Sequence, residues 1–177
     1  MWSEKTNLTD LRNLDTIVRE AMNRNRAKYK LQMNASLYLT RNKGGRGLKG
    51  FETMYKETKV KATMRLAADD DERMLTVKLY DLNRKDRNRS SLIKDGISYA
   101  LNDFNITLTM TPSSFEASFD KDGEQHTTND RSEVTREIKA LTSTKLETEL
   151  LDSTWQGRIF KCRRDDEHLV KNTCYNW

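Results

Sequence analysis

The 177-residue chain is poor in the residues on which small secreted and many catalytic domains depend. It contains two cysteines, Cys162 and Cys174, and two histidines, His126 and His168. Two cysteines cannot form the disulfide framework of a small secreted domain, so we expect an intracellular protein in a reducing compartment. With only two histidines, the sequence offers no convincing Ser/His/Asp triad.

Long apolar segments are also missing. No apolar run approaches the roughly 18 residues that a membrane helix needs, and no signal-peptide pattern opens the chain, so we expect no membrane partner. Only 35% of the residues are hydrophobic and 33% are charged, which predicts a thinly cored or elongated protein of one domain or two small ones. Three Trp, six Tyr and five Phe, spread along the chain, argue against disorder.

Charge is distributed unevenly. From Arg19 to Arg65 there are 13 Lys/Arg and 3 Asp/Glu, a net of +10. The remainder carries 19 Lys/Arg and 24 Asp/Glu, a net of −5, and the whole chain has a net charge of +5. A basic block beside an acidic remainder favours a surface that faces a polyanion, although a solvated charged face is the simpler alternative.

Hydrophobic periodicity predicts a mostly α (α+β) fold with one small β-hairpin around residues 106–127. Asp122-Gly123 is the hairpin turn, and Asp130 with Glu133 resembles a capping box before the last clear helix. The short segment "SLYLT" is predicted to be extended, and the segment "WQGRIFKCRRDDEHLV" to be helical in parts. Helices are predicted at Leu8–Arg26 and Phe51–Ala67, and others are marked by Leu75, Leu79 and Leu82, by Ile93, Ile97, Ala100, Leu101 and Phe104, and by Val134, Ile138 and Leu141.

The helix that begins at Phe51 is predicted to have two unlike sides. Two i,i+4 pairs, Glu52–Lys56 and Glu57–Lys61, favour the helix itself. Lys49, Lys56 and Lys59 lie on its basic side, and the apolar side consists of Phe51, Met54, Tyr55, Thr58 and Ala62.

A glycine motif precedes this helix and has two interpretations. Gly45, Gly47 and Gly50 have the G-x-G-x-x-G spacing of a dinucleotide-binding loop, and Asp69–Asp71 follow at about the expected distance. That motif requires a buried strand running into the first glycine, whereas Arg41-Asn42-Lys43 intervenes here. A Walker A loop is excluded because Phe51, rather than Lys-Ser/Thr, follows Gly50.

The second interpretation is a loop that holds a nucleic acid backbone. Glycines allow close approach of a phosphate, and exposed N–H groups with the helix N-terminus near Phe51 would favour an anion. Arg41, Lys43, Arg46 and Lys49 add positive charge, and Lys56 and Lys59 would continue it along the helix. Such contacts predict salt-dependent, sequence-tolerant binding. Tyr38, Phe51 and Tyr55 could stack on bases, but core packing explains them better.

Two acidic pairs and one Cys/His set are weaker candidates. Asp69-Asp70 and Asp165-Asp166 resemble two-metal ligands, but a helix N-cap and local charge balance explain them better. Cys162, His168 and Cys174 have the spacing C-x5-H-x5-C, which lacks the close cysteine pair and the four ligands of structural zinc. We therefore expect no metal and no cofactor.

Several segments, taken in order, resemble one family. "LYLTRNKGGRGLKGFETMYKETKVKA" is similar to the segment after the polymerase core of non-LTR (LINE-like, site-specific type) retrotransposon reverse transcriptases. "LDTIVREAM" before it, "LIKDGISYALNDFNITLTM" after it, and "WQGRIFKCRRDDEHLVKNTCYNW" extend the likeness from about Leu14 to Trp177. Thr40 stands where the family's pattern has proline, which is expected to loosen the turn.

The resemblance implies a thumb-like region at residues 1–68 and a linker-like region at 69–177, truncated at its C-terminus. In the family the thumb holds the template–primer duplex, so the implied partners are RNA, an RNA–DNA hybrid or a DNA duplex, together with the polymerase core of the parent protein. Gly44, Gly45, Arg46, Gly47 and Leu48 match one family motif, with Arg41 before them, and Trp155-Gln156-Gly157-Arg158 match a second.

The implied activity is binding alone. The aromatic-x-Asp-Asp turn of the polymerase is missing, and the zinc and nuclease motifs would follow Trp177, so we expect no enzyme activity and an intracellular, nuclear location. A nucleotide-cofactor domain and a protein-interaction remnant stay open as alternatives. The predicted nucleic-acid-binding residues are Arg41, Lys43, Gly44, Gly45, Arg46, Gly47, Lys49, Lys56, Lys59, Lys61, Trp155, Arg158, Arg163 and Arg164.

Overall fold

The computed structural model describes residues 6–26, 33–69, 71–83, 91–111, 114–121 and 123–153, together with Gly157 and Lys161. Six helices and three strands in these ranges confirm the mostly α (α+β) class. The helices are α1 (Leu8–Arg24), α2 (Ala35–Tyr38), α3 (Phe51–Ala67), α4 (Glu72–Asn83), α5 (Leu92–Phe104) and α6 (Arg131–Leu151), and the strands are β1 (Thr107–Met110), β2 (Phe115–Lys121) and β3 (Glu124–Thr128). No helix in the described ranges has the length and apolar character to cross a membrane.

The sheet has one more strand than the predicted hairpin. Its order is β1-β2-β3, and both neighbouring pairs are antiparallel. The turn after β2 is stabilised by the Gly123 N–H, which donates to Asp120 Oδ1 at 3.0 Å, while Gly123 takes a φ of 86°. One face of the sheet is apolar because Leu108, Phe115, Ala117 and Phe119 alternate with exposed residues and are buried.

The prediction of an extended "SLYLT" is wrong. Residues Ala35–Tyr38 form one helical turn, in which the Leu39 N–H donates to the Ala35 carbonyl at 2.9 Å. Only Leu39 and Thr40 are extended. No strand of the described sheet pairs with this segment, so a local helical turn satisfies its backbone groups.

The described residues fall into two compact units. The first is built around Thr53–Lys139, and the second combines Leu8–Glu52 with the chain from Ala140 onward. The division near residue 68 into thumb-like and linker-like regions concerns family origin and stays a prediction.

In the first unit, α3 packs closely on α5. Gly96 of α5 is buried, and a Cβ at this position would lie 2.0 Å from Thr63 Oγ1 of α3. The Thr63 hydroxyl donates to the Leu92 carbonyl at 3.0 Å. The buried residues of α3 include Val60, Thr63, Met64 and Ala67, so the predicted apolar side is wrong: Met54 and Thr58 are exposed. The close contact of α3 with Gly96 accounts for the side that α3 buries, whereas the hydrophobic pattern of the sequence predicts a different side.

Helix α4 faces its neighbours with polar groups. Lys78 is buried, and its ammonium donates to the carbonyls of Ala67 and Asp69 at 2.9 and 2.7 Å, beyond the end of α3. Asp81 accepts from the Ile93 N–H at 2.9 Å and from the Ser91 hydroxyl at 2.7 Å at the start of α5. These contacts satisfy backbone groups that helix ends leave unpaired. The leucines that mark α4 in the sequence, Leu75, Leu79 and Leu82, are exposed.

In the second unit, α2 packs against α6. Ala35 and Leu39 form a small core with Leu150 of α6, and Met33 and Leu146 pack on it. This core holds the segment after Leu39, where the glycine motif lies.

Candidate nucleic-acid interface

The glycine motif lies in a basic loop, defined here as residues 41–49. The loop starts with a 3₁₀ turn at Arg41–Lys43 and then folds back over α2. Backbone hydrogen bonds fix the return path: Gly45 N–H to Thr40 O at 3.0 Å, Arg46 N–H to Ser36 O at 3.0 Å, Gly47 N–H to Leu39 O at 2.8 Å, and Leu48 N–H to Leu37 O at 2.9 Å. The loop is therefore a defined turn.

Three glycines are required by this path for different reasons. Gly44 and Gly47 have φ angles of 82° and 71°, where a side chain is disfavoured. Gly45 is buried, and a Cβ there would lie 2.0 Å from the Leu39 carbonyl oxygen. The sequence G-G-R-G is thus explained by the backbone of the turn.

Four amides in the glycine-rich part of the loop are not available to a phosphate. The N–H groups of Gly45, Arg46, Gly47 and Leu48 all donate to carbonyls of α2 and the residues that follow it. The predicted cradle of exposed N–H groups therefore loses these four donors, because the turn uses them for its own backbone hydrogen bonds. The dinucleotide interpretation loses its support for the same reason, and the segment before the loop is helical at Ala35–Tyr38.

The N-terminus of α3 already holds an anion. The Phe51 N–H donates to Asp15 Oδ1 at 3.0 Å, and Asp15, on α1, is buried. A carboxylate at this position is favoured by the helix dipole. The predicted phosphate position at the Phe51 N–H is therefore occupied by a side chain of the protein itself.

Among those side chains, Arg46 and Lys49 differ from Lys43. Lys49 is exposed and Arg46 is half-buried, and within the described ranges neither side chain forms a hydrogen bond or an ion pair. Lys43 is paired, since its Nζ lies 2.5 Å from Glu147 Oε1 of α6. Arg41 is exposed at the start of the turn. Arg46 and Lys49 are therefore the first candidates in the loop for binding an anion.

The lysines of α3 do not form the predicted solvent-facing stripe. Lys56 pairs with Asp103 at 2.6 Å, and Lys59 lies 3.4 Å from Asp95. Their side chains are only 12% and 9% exposed. The Lys61 ammonium lies 3.2 Å from Glu57, which is the predicted i,i+4 pair. Acidic residues of α5, far away in the sequence, draw Lys56 and Lys59 inward.

The aromatic side chains considered for base stacking are engaged within the protein. The Tyr38 hydroxyl accepts from Arg19 at 3.2 Å. Tyr55 lies edge-on to Tyr99, with 6.3 Å between ring centroids. Burial raises the pKa of the Tyr99 hydroxyl above its ordinary value, and the negative charge of Asp95 adds to this. Tyr38 and Tyr55 therefore have structural roles.

Part of the predicted site lies outside the described residues: Trp155, Arg158, Arg163 and Arg164, together with Cys162, His168, Cys174, Asp165 and Asp166. Gly157, from the same motif, is described. It is buried, its N–H donates to the Ser153 carbonyl at 3.0 Å, and a Cβ would lie 2.3 Å from the Leu151 carbonyl oxygen. This glycine permits a close backbone approach.

Of the candidate pair Asp69-Asp70, Asp70 lies outside the described residues, and nearby Asp71 caps a helix. Asp71 accepts from the Arg73 N–H at 2.9 Å at the start of α4, which confirms an N-cap in the 69–72 cluster. Asp130 likewise accepts from the Ser132 N–H at 2.8 Å. The capping box is only half realised, because the Asp130 N–H donates to the Thr128 hydroxyl. Glu133 instead lies 3.1 Å from His126 Nε2.

Two carboxylates near the basic loop, Asp15 and Glu147, are not predicted from the sequence. Asp15 accepts from the Phe51 N–H at the α3 N-terminus, and Glu147 pairs with Lys43 of the loop. Glu52, which the sequence already predicts as a partner of Lys56, also contacts Arg12 at 2.6 and 2.9 Å. Asp15 was recognisable only as a polar residue among the apolar positions of α1. Glu147 lies about a hundred residues from the loop, and nothing in the sequence connects the two.

Comparison of the chain with models of protein families, with curated proteins and with solved structures yields no match.

Proposed function

We propose that this chain is a nucleic-acid-binding segment of a retrotransposon reverse transcriptase that grips the backbone of a template–primer duplex and carries no polymerase or endonuclease site of its own. Its place in the parent protein would be the thumb and linker region after the polymerase core. The partners are RNA, an RNA–DNA hybrid or a DNA duplex, in an intracellular, nuclear setting.

One observation carries the proposal. Arg46 and Lys49 project from a turn whose backbone is held by its own hydrogen bonds, and neither side chain has an acidic partner in the described ranges. Because the backbone of this turn is already ordered, binding of a nucleic acid does not have to order it. The net charge of +10 between Arg19 and Arg65 supports the same partner.

The mechanism is charge neutralisation rather than base reading. Each phosphate that Arg46 or Lys49 neutralises releases condensed counterions, so the affinity falls as salt rises. Arginine can contact a phosphate with two N–H groups, whereas lysine provides a point charge. Binding should therefore tolerate any sequence and depend on salt.

The test is the double variant Arg46→Glu with Lys49→Glu, measured for binding to a labelled RNA–DNA hybrid across a salt series. Loss of two phosphate contacts should reduce the slope of log affinity against log salt by about 1.8 for a duplex. The affinity at low salt should fall roughly tenfold or more, since two charges are also reversed.

The matched control is Arg136→Glu with Lys139→Glu, which makes the same charge change at two exposed positions of α6. The control should retain most of the affinity and the slope. If both double variants behave alike, binding reflects net charge and not the loop, and the proposal is refuted.

A second candidate, a protein-interaction segment that folds fully only against its polymerase core, is favoured by exposed apolar side chains. In α1, Leu14, Ile17 and Val18 are 44%, 59% and 37% exposed, and in α4 Leu79 and Tyr80 are 52% and 68% exposed. Poorly cooperative unfolding within each compact unit of the isolated chain would support this candidate, and a sharp transition in each unit would oppose it.

A further inference from the structure

One contact of the basic loop concerns a residue that the proposed function does not use. Lys43 Nζ and Glu147 Oε1 lie 2.5 Å apart. The lysine side chain is 41% exposed and the glutamate side chain 24%, so the pair lies at the surface, open to solvent and to a large anion.

Packing fixes both partners. Leu146 and Leu150, on either side of Glu147 in α6, contact the small core that includes Ala35 and Leu39. Lys43 is the last residue of the 3₁₀ turn, where its N–H donates to the Thr40 carbonyl at 3.0 Å. The carboxylate is therefore brought to the lysine by apolar contacts that do not depend on the ion pair itself.

Arg46 and Lys49 of the loop have no acidic neighbour of this kind among the described residues. Arg46 and Lys49 have no ion pair among the described residues, whereas Lys43, three positions before Arg46, has its charge compensated. A phosphate approaching Lys43 must displace a carboxylate and also meets that carboxylate's negative charge. At the Debye length of roughly 10 Å in 0.1 M salt, this repulsion is only partly screened.

We infer that Glu147 is an intramolecular competitor for the phosphate at Lys43, so that it limits the grip of the basic loop on a nucleic acid backbone. This inference rests on the proposed function, since it concerns the same loop. Arg46 and Lys49 make the first contacts, and Lys43 joins only when Glu147 is displaced or neutralised. Glu147 thereby weakens binding and keeps it reversible.

The test is Glu147→Gln, which preserves size and removes the charge. Binding to the labelled RNA–DNA hybrid in low salt should become tighter by about twofold to fivefold, the strength of a typical exposed ion pair. Recruitment of one more phosphate contact should also steepen the slope of log affinity against log salt by about 0.9.

The matched control is Glu149→Gln, which makes the same charge change two positions further along α6. Glu149 is exposed and points away from the side of Glu147, because two residues correspond to about 200° around a helix. The double variant Lys43→Gln with Glu147→Gln should lose the gain, because no cation is then released. Thermal unfolding of each variant verifies that the fold is retained.

The possible outcomes distinguish the role of Glu147 from the proposed function. If the wild type binds and Glu147→Gln is no tighter than Glu149→Gln, the inference is overturned and the proposed function stands. If the gain persists without Lys43, the inference is also overturned, because another cation receives the phosphate. If neither the wild type nor Glu147→Gln binds the hybrid at low salt, both the proposed function and the inference are refuted.

Discussion

Replacing Gly45 by alanine tests whether the basic loop owes its shape to the close approach of its backbone to α2. The new Cβ would lie 2.0 Å from the Leu39 carbonyl oxygen, 2.4 Å from the carbonyl carbon and 2.6 Å from Leu39 Cβ. These atoms are backbone or the first side-chain atom, so no rotamer change relieves the clash. The loop must move by about 1 Å or more to restore ordinary contact.

The cost follows from the bonds that such a movement breaks. The Leu39 oxygen also accepts from the Gly47 N–H at 2.8 Å, and the Gly45 and Arg46 N–H groups donate to carbonyls nearby at 3.0 Å. Two or three hydrogen bonds lost, at about 1 kcal/mol each, give a destabilisation of about 2–3 kcal/mol for the loop.

Gly47→Ala is the control within the same loop. Its φ of 71° costs a side chain about 1–2 kcal/mol. The nearest atom to its Cβ, Arg41 Cγ, is at an ordinary 3.5 Å, so no further clash adds to this cost. Gly45→Ala should thus be the more damaging change, even though Gly45 lacks the positive φ.

Amide hydrogen exchange is the appropriate measurement, because the two compact units need not unfold in one transition. In Gly45→Ala, the amides of Arg46, Gly47 and Leu48 should lose protection, and urea unfolding should shift to lower concentration. If the two variants exchange alike and the three amides stay protected, the contact with Leu39 is not what determines the loop.

Two further predictions concern the residue before the loop and the β3–α6 junction. Thr40→Pro should stabilise the protein by about 0.4–1 kcal/mol in urea unfolding. Thr40 has a φ of −63°, Leu39 before it is extended, and the Thr40 N–H donates no hydrogen bond within the described ranges, so proline fits this position. A lower urea midpoint for the variant would contradict this prediction. A hydrogen bond with Thr128, and secondly the positive charge of His126, hold the pKa of Glu133 below its ordinary 4.5. The contribution of the Glu133 carboxylate to stability is therefore present above about pH 4.5 and is lost as the pH falls through the lowered pKa. In an NMR titration Thr128→Val should raise the Glu133 pKa toward the ordinary value, and an unchanged pKa would exclude Thr128 as the main cause.

Local patterns were sufficient for much of the fold. Phe51–Ala67 was predicted with its observed bounds, because a basic, turn-forming loop precedes a long segment of good helix formers. The capping role of the 69–72 cluster and the turn before Gly123 also depend on neighbours in sequence. The sequence also predicts that threonine, in place of proline, at position 40 loosens the turn. That prediction considers one residue, whereas the hydrogen bonds that hold the turn come from α2 and the loop.

Tertiary structure decided which charges are available. Lys49, Lys56 and Lys59 look equivalent in the sequence, yet Asp103 and Asp95 of α5 take up Lys56 and Lys59, and Lys49 keeps its charge exposed. In the same way Asp15 fills the anion position at the α3 N-terminus, and Glu147 compensates Lys43.

The sequence by itself determined the longer helices, the turn at Gly123 and the concentration of positive charge, because these depend on residues close together in the chain. It could not determine the sides that helices bury or the partners of individual lysines. Those depend on residues 36 to 104 positions away, such as Asp15 for Phe51 and Glu147 for Lys43, which only the folded chain brings within hydrogen-bonding distance. The physical reason is that an ion pair acts over a few ångströms, a distance that sequence separation does not predict.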